Sequence, residues 1–402
     1  MLNRRLFLCG AASSLLLRGD VPVRAITKGP KHHWFGYYDK LEFDPTGRYV
    51  LSNQVDFEHR SPQAGDTIRV GMIDLQDNDR WIELGESRAW NWQQGCMLQW
   101  LPGSRDEVIW NDRLDGLFVS HIRNVRTGKT RTLPGPVYSV SPDAKWAVYP
   151  DFRRLNQMRP GYGYAGVPDP FETNLAPDRA GIWRMDLKSG KQNLLLSFAD
   201  AVKVPNQHSP WEPTAKHWFN HLLHSPSGDR FIFLHRWRGP KQGEGFGTRM
   251  FTANGSGKDL FVLDPYGGTS HFIWRDSQHV LAWAKHPSHG EKFYLYRDKT
   301  ELVDVVGKDV MTLNGHCTYL PGNNWILNDT YPQKDVQSLY LYEVATARRV
   351  PLGGFASAPP YRGEFRCDLH PRFSPDGKKV AIDSAHGGNG RQIYLVDISG
   401  VA

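Results

Sequence analysis

Beyond its first twenty residues, this 402-residue chain lacks any apolar run long enough to cross a bilayer as a helix. Cysteine is scarce: of four, Cys96, Cys317 and Cys367 lie beyond the N-terminal segment. In an oxidising compartment an odd number leaves at least one thiol unpaired. Cys317 and Cys367 each stand close to a histidine, so packing, pairing and metal ligation are all open to them. No basic stripe of the kind that tracks nucleic acid is present. A G-x-S-x-G nucleophile elbow is also absent and little length remains for a hydrolase domain, which makes the propeller half of a serine peptidase a poor expectation.

Aromatic residues, by contrast, are plentiful. They make up 12% of the chain, with 14 Trp, against a modest 40% hydrophobic content. That balance predicts a β-rich protein with many small hydrophobic seams. The N-terminus reads as an export signal. Arg4 and Arg5 precede a short apolar run, and "VPVRA" offers a cleavage site near Ala25. Residues 1–25 are therefore expected to be a twin-arginine-type signal peptide, which predicts a periplasmic or secreted protein. The residues before Cys9 are not the small ones of a lipoprotein signal. The segment holds Arg4, Arg5, Arg18, Arg24 and Asp20, so its removal lowers the net charge from +7 to +4. The remaining charge suits an anionic ligand without requiring one.

Repeats organise the remainder, residues 26–402. Turn signals follow short apolar strands at "DPTG" (44–47), "LPGS" (101–104), "SPDA" (141–144), "SPSG" (225–228), "WRDS" (274–277), "LPGN" (320–323) and "SPDG" (374–377). Between them run seven strand–turn–strand segments such as "GIWRMDLKSGKQNLLL" and "SLYLYEVATARRVPL". Four short antiparallel strands per unit, seven times over, predict an all-β seven-bladed β-propeller of four-stranded blades. The last unit ends after "IYLVDISGVA" without a fourth strand, so an N-terminal strand within about residues 25–38 is expected to close it. Blade 3 carries an insertion at about residues 151–180, rich in Arg, Tyr, Gly and Pro; such a loop is more often functional or disordered than idle.

His221, His271, His316 and His370 each stand four residues before position 225, 275, 320 or 374, in or beside the turns of blades 4 to 7. Equal offsets place them at equal depth where the innermost strands open, so four imidazoles are expected to converge on one side of the channel mouth. Asp368 shares strand parity with His370 and could add a carboxylate. Imidazole with oxygen ligands suits a divalent ion such as Zn²⁺, Mn²⁺ or Fe²⁺, and a neutral imidazole also suits general-base work. From the opposite blades come Tyr138, which opens the inner strand of blade 3, and Arg153, Arg154 and Arg159 in the insertion. Arg236 and Trp237 end the second strand of blade 4. Arginine pairs with carboxylates and a tyrosine hydroxyl delivers protons, so these are candidate substrate and catalytic groups.

The segments "FGYYDK", "GCMLQWLPG", "FNHLLHSPSGDRFIFLHRW", "GHCTYLPGNNWILNDTYP" and "HPRFSPDGKKVAIDS" resemble the seven-bladed polysaccharide lyases, chiefly oligogalacturonate lyases and more distantly the propeller-type ulvan lyases. The likeness runs along most of the chain from about Gly36. It implies that His221 matches a catalytic base and that His271 and His370 match ligands of a divalent metal, Mn²⁺ or Zn²⁺. The family's glutamine ligand has no counterpart by position, leaving His316 or Asp368 to replace it. Tyr138 and Arg154 match the Tyr and Arg of ulvan lyases, whereas "NWQQGCMLQW" and "IWNDR" in blade 2 lack that family's histidines. The implied activity is β-elimination on a uronate-containing, anionic oligosaccharide. In that chemistry His221 serves as base, Tyr138 as acid, Arg154 as carboxylate clamp, and Arg153, Arg159, Arg236 and Trp237 as substrate contacts. The rival reading is a non-catalytic, TolB-like propeller that binds protein or glycan, since fold alone does not set function.

Overall fold

The computed structural model describes residues 21–240, 245–357 and 359–401; Arg4, Arg5, Arg18, Asp20 and Cys9 of the expected signal lie outside them. Among the described residues, strands group into seven antiparallel sheets of four, each in simple meander order except the last. This is the seven-bladed propeller expected from the repeats. The innermost strands are His32–Trp34, Gln99–Trp100, Ser139–Val140, Lys216–His224, Phe272–Trp274, Thr318–Tyr319 and Arg372–Phe373.

The repeated turns have a common chemistry. In "SPDG", the Ser374 hydroxyl donates to Asp376 at 2.6 Å and accepts from Lys379 N at 3.0 Å, while Asp376 accepts from Lys378 N at 3.1 Å. In "SPDA", Ser141 donates to Asp143 at 2.6 Å and accepts from Trp146 N at 3.2 Å. Short polar side chains thus satisfy turn amides that have no ladder partner, which is why Ser and Asp recur there.

Blades stack through apolar seams, so most strands are buried on both faces. Leu281, Trp283 and Phe293 meet Met311, Tyr319, Ile326 and Tyr340 between blades 5 and 6. Trp34, Trp90 and Trp92 cluster beside blade 1, with ring centroids 5.1–5.6 Å apart. Each such aromatic pair contributes about 0.5–1.5 kcal/mol beyond its buried area.

Closure differs in detail from expectation. Val23–Ala25 pairs antiparallel with Gln392–Asp397 and completes blade 7, whereas His32–Trp34, inside the expected window, opens blade 1. Arg24 also forms an ion pair with Asp79. The closing strand thus uses the last three residues of the expected 1–25 segment.

The blade-3 insertion joins Trp146–Pro150 to Gly181–Asp186. It starts with the helix Phe152–Met158, whose N-terminus is capped by the Asp151 side chain accepting from Arg153 N and Arg154 N. Gly163 lies so close to this helix that a Cβ there would fall 2.0 Å from Asn156 N. The contact folds the chain back over the channel mouth.

Candidate active site

The four repeat histidines do meet. His271 and His316 have ring centroids 4.1 Å apart, and His316 and His370 4.2 Å. His221 stands farther off, 6.5 Å from His271, and stacks on Tyr37 at 4.9 Å with the planes 7° apart. All four are buried. His221 and His370 hold φ values of 50° and 42°, a region costly for non-glycine residues. For His221 the strain falls in a bulge of its strand, between Asn220 and Leu223, which turns the ring inward.

Tautomers follow from the neighbours. The Nδ1 atom of His316 is 3.0 Å from both oxygens of Asp329, which also accepts from His316 N and His370 N. A carboxylate accepts only, so Nδ1 carries a proton, and Nε2 is left without a partner among the described residues. For His271, Nδ1 is 3.0 Å from Asn314 Oδ1, and Asn314 Nδ2 donates to Ser270 Oγ at 3.3 Å. Its Nε2 is therefore bare as well, with Tyr331 Oη 3.4 Å away. A Cβ on Gly315 would lie 1.8 Å from Asp329 O, so glycine is what lets His316 reach its carboxylate.

Ligand atoms of His316, Asp368 and His370 lie within 4.8 Å of one another. Among the described residues, His316 Nε2, His370 Nε2 and Asp368 Oδ1 are buried without a hydrogen-bond partner. Burial and then the neighbouring His316 hold the pKa of His271 and of His370 well below the usual imidazole value; Arg372 adds to the shift at His370, and the hydrogen bond with Asn314 opposes it at His271. Two imidazole nitrogens and a carboxylate oxygen, each buried without a partner among the described residues, fit a divalent cation. His316, Asp368 and His370 are the residues that could hold it, with the His271 ring beside His316.

Beside this cluster is a cavity of about 210 Å³, lined by Arg159, Tyr162, His221, Arg236, His271 and Tyr331 among others. Tyr138 Oη is 3.1 Å from His221 Nδ1 and accepts from Gln94 Nε2 at 2.7 Å; Tyr37 Oη is 3.2 Å from His221 Nε2. Burial and then Arg236 depress the His221 pKa well below its usual value, so the ring is neutral. Arg236 is itself pushed down to about 10 by burial and by Arg159 beside it. The Nε atoms of both arginines lack partners among the described residues. Two such guanidiniums facing one cavity make an anion site.

Other expected site residues are elsewhere. Arg154 does not reach the cavity: its guanidinium donates to the carbonyls of His217, Phe171, Asn174 and Leu175 and to Asp169, which ties the insertion together and leaves no donor for substrate. Arg153 pairs with Asp151 and lines a separate cleft between blades 2 and 3. Trp237, at the end of the second strand of blade 4, packs on Trp211 and His235 and does not line the cavity. Tyr138 reaches His221 but is wholly buried, away from the cavity surface.

Five groups at the site carried no sequence assignment: Tyr37, Gln94, Tyr162, Tyr331 and Arg366. Arg366 Nε donates to Asp368 and its Nη2 to Tyr162 Oη. A signal existed for Tyr37 and Gln94, since "FGYYDK" and "NWQQGC" open blades 1 and 2 as the histidine segments open theirs.

No family model and no curated protein matches this sequence. Among solved structures, the fold is similar to an oligogalacturonate lyase in complex with manganese, at 16% identity and a TM-score of 0.68, covering 94% of this chain and 93% of that one. It is also similar to the oligogalacturonate lyase of Vibrio parahaemolyticus, at 15% identity and a TM-score of 0.66, covering 95% and 94%. The propeller domain of the Trilobed protease from Pyrococcus furiosus is less alike, at 10% identity and a TM-score of 0.51, covering 90% and 96%. This chain therefore shares with the oligogalacturonate lyases the seven-bladed propeller fold over nearly its whole length.

Proposed function

We propose that the protein is a lyase that cleaves uronate-containing oligosaccharides by metal-assisted β-elimination. The observation that carries this reading is the pairing of two sites in one mouth. A cluster of His316, His370 and Asp368, with His271 beside it, adjoins a cavity that presents a neutral His221 and two arginines whose Nε atoms lack partners among the described residues. The structural neighbour bound to manganese supports a divalent ion at such a mouth, Mn²⁺ or Zn²⁺. Export through the N-terminal twin-arginine segment is part of the same proposal.

The C5 proton of a uronate is too weakly acidic to leave unaided, because its departure builds charge on the neighbouring carboxylate. A divalent ion held by His316, His370 and Asp368, with His271 beside them, would supply Lewis-acid neutralisation of that charge. Arg159 and Arg236 bind and orient the anionic sugar. His221, neutral and lining the cavity, takes the C5 proton. Hydroxyls turn between donating and accepting, so Tyr37 and Tyr138 accommodate the ring before and after it gains the proton.

The test is to incubate the protein with oligogalacturonate and oligoglucuronate and follow the ultraviolet absorbance of a conjugated unsaturated uronate. Product is expected with Mn²⁺ or Zn²⁺, is lost on chelation, and is lost in His221→Ala. If no uronate yields product with either ion, the lyase reading fails and a binding propeller remains.

A further inference from the structure

Elimination requires a proton for the departing O4 as well as a base for C5, and the structure separates the tyrosines that could supply it. Tyr138 and Tyr37 bracket the two nitrogens of His221 and are not among the residues lining the cavity. Tyr331 points its hydroxyl at His271 Nε2, an expected ligand atom. Tyr162 is placed differently. It lines the cavity, sets its ring edge-on to His221 at 5.5 Å, and accepts a hydrogen bond from Arg366 Nη2.

Its position is held from several sides. Tyr162 N donates to Arg159 O at 3.2 Å, and Gln93 N donates to Gly161 O at 3.4 Å. Gly163 is pressed against the helix at Asn156, and Arg159 lies over the Tyr162 ring at 5.2 Å. The insertion thus delivers one phenol to the mouth on a short, braced turn.

We propose that Tyr162 is the proton donor to the leaving oxygen, a role that rests on the lyase reading above. His221 removes the C5 proton, the C5–H electron pair forms the C4–C5 double bond, and the C4–O4 bond breaks with its electrons on O4. The Tyr162 Oη proton passes to O4, and the resulting phenolate is held by Arg366 and Arg159 until water returns a proton. Burial alone would raise the phenol pKa, but Arg366, Arg159 and Arg236 outweigh it and hold it below the usual value. Tyr138 is on this view a positioning residue for His221.

Tyr162→Phe tests the proposal because it keeps the ring and removes the hydroxyl. With a natural oligouronate, kcat is expected to fall about 10²–10⁴-fold with KM little changed. With a uronate carrying 4-nitrophenolate at O4, a leaving group that needs no proton, the variant is expected to match the wild-type rate. That second arm also shows that the variant is folded. Equal loss on both substrates, or no loss on either, overturns the assignment of Tyr162 alone. No product from the wild-type protein on any uronate overturns the lyase reading with it.

Discussion

The root of the blade-3 insertion and the channel mouth that it covers each bury arginine, with opposite consequences. At the root, Arg154 donates to four carbonyls and Asp169, so its charge and its hydrogens are spent on the protein. At the mouth, Arg236 is as deeply buried, sits beside Arg159, and has an Nε atom without a partner among the described residues. Burial therefore does not distinguish scaffold from site. Saturation of the donors does, because a guanidinium with unmet donors and a like charge beside it is stabilised by an incoming anion.

The sharpest way to break this contrast is to replace each arginine by methionine. Arg154→Met strands several buried acceptors and is expected to cost about 3–5 kcal/mol in denaturant unfolding. Arg236→Met removes a buried charge whose Nε lacks a partner among the described residues, so stability is expected to stay within about 1 kcal/mol of the parent or rise. The KM for an oligouronate should then climb about tenfold or more, the loss of at least one charge-assisted contact. If Arg236→Met unfolds the protein while Arg154→Met does not, the distinction is wrong.

Acid should act on the root too. His217, whose carbonyl receives Arg154, has its pKa lowered to about 4 by burial, Arg249 and Arg154. The unfolded chain, near 6.5, takes up this proton first. Its contribution is therefore complete above pH 6.5 and is lost as pH falls toward 4, on the order of a few kcal/mol. Unfolding curves measured across that range should flatten in His217→Gln.

Metal addition probes the mouth. Mn²⁺ at a hundredfold excess over its Kd should stabilise the folded protein by about 2.7 kcal/mol, read as a rise in Tm. His316→Ala or His370→Ala should abolish the rise, whereas His221→Ala should keep it. The smallest effect is expected at Arg153, whose ion pair with Asp151 is partly exposed: Arg153→Ala should cost about 0.2–1 kcal/mol and leave KM unchanged.

Much of this architecture was legible. Ser–Pro–Asp turns and alternating strands announce blades because each turn must satisfy its own amides locally. Four histidines at one offset announce a cluster because equivalent strands start at equivalent depths. Arg154 and Arg159 lie in one loop and look alike in sequence, yet one faces carbonyls folded back from residues 171–175 and the other a cavity. Tyr162 gave no periodic signal, since it sits in an insertion without a counterpart in other blades. Closure by Val23–Ala25 was displaced by a few residues, as short edge strands carry little pattern of their own.

Local chemistry along the chain decided the number of blades, their four-strand form and the shared depth of the histidines, because turns and strand periodicity depend on near neighbours. Which side chains have unmet donors or bare lone pairs was decided by the folded ring. Those quantities depend on partners hundreds of residues away, such as Asp383 against Phe35 N or Arg366 against Tyr162. Desolvation and hydrogen-bond saturation belong to the assembled mouth, and no single segment holds enough of it to reveal them.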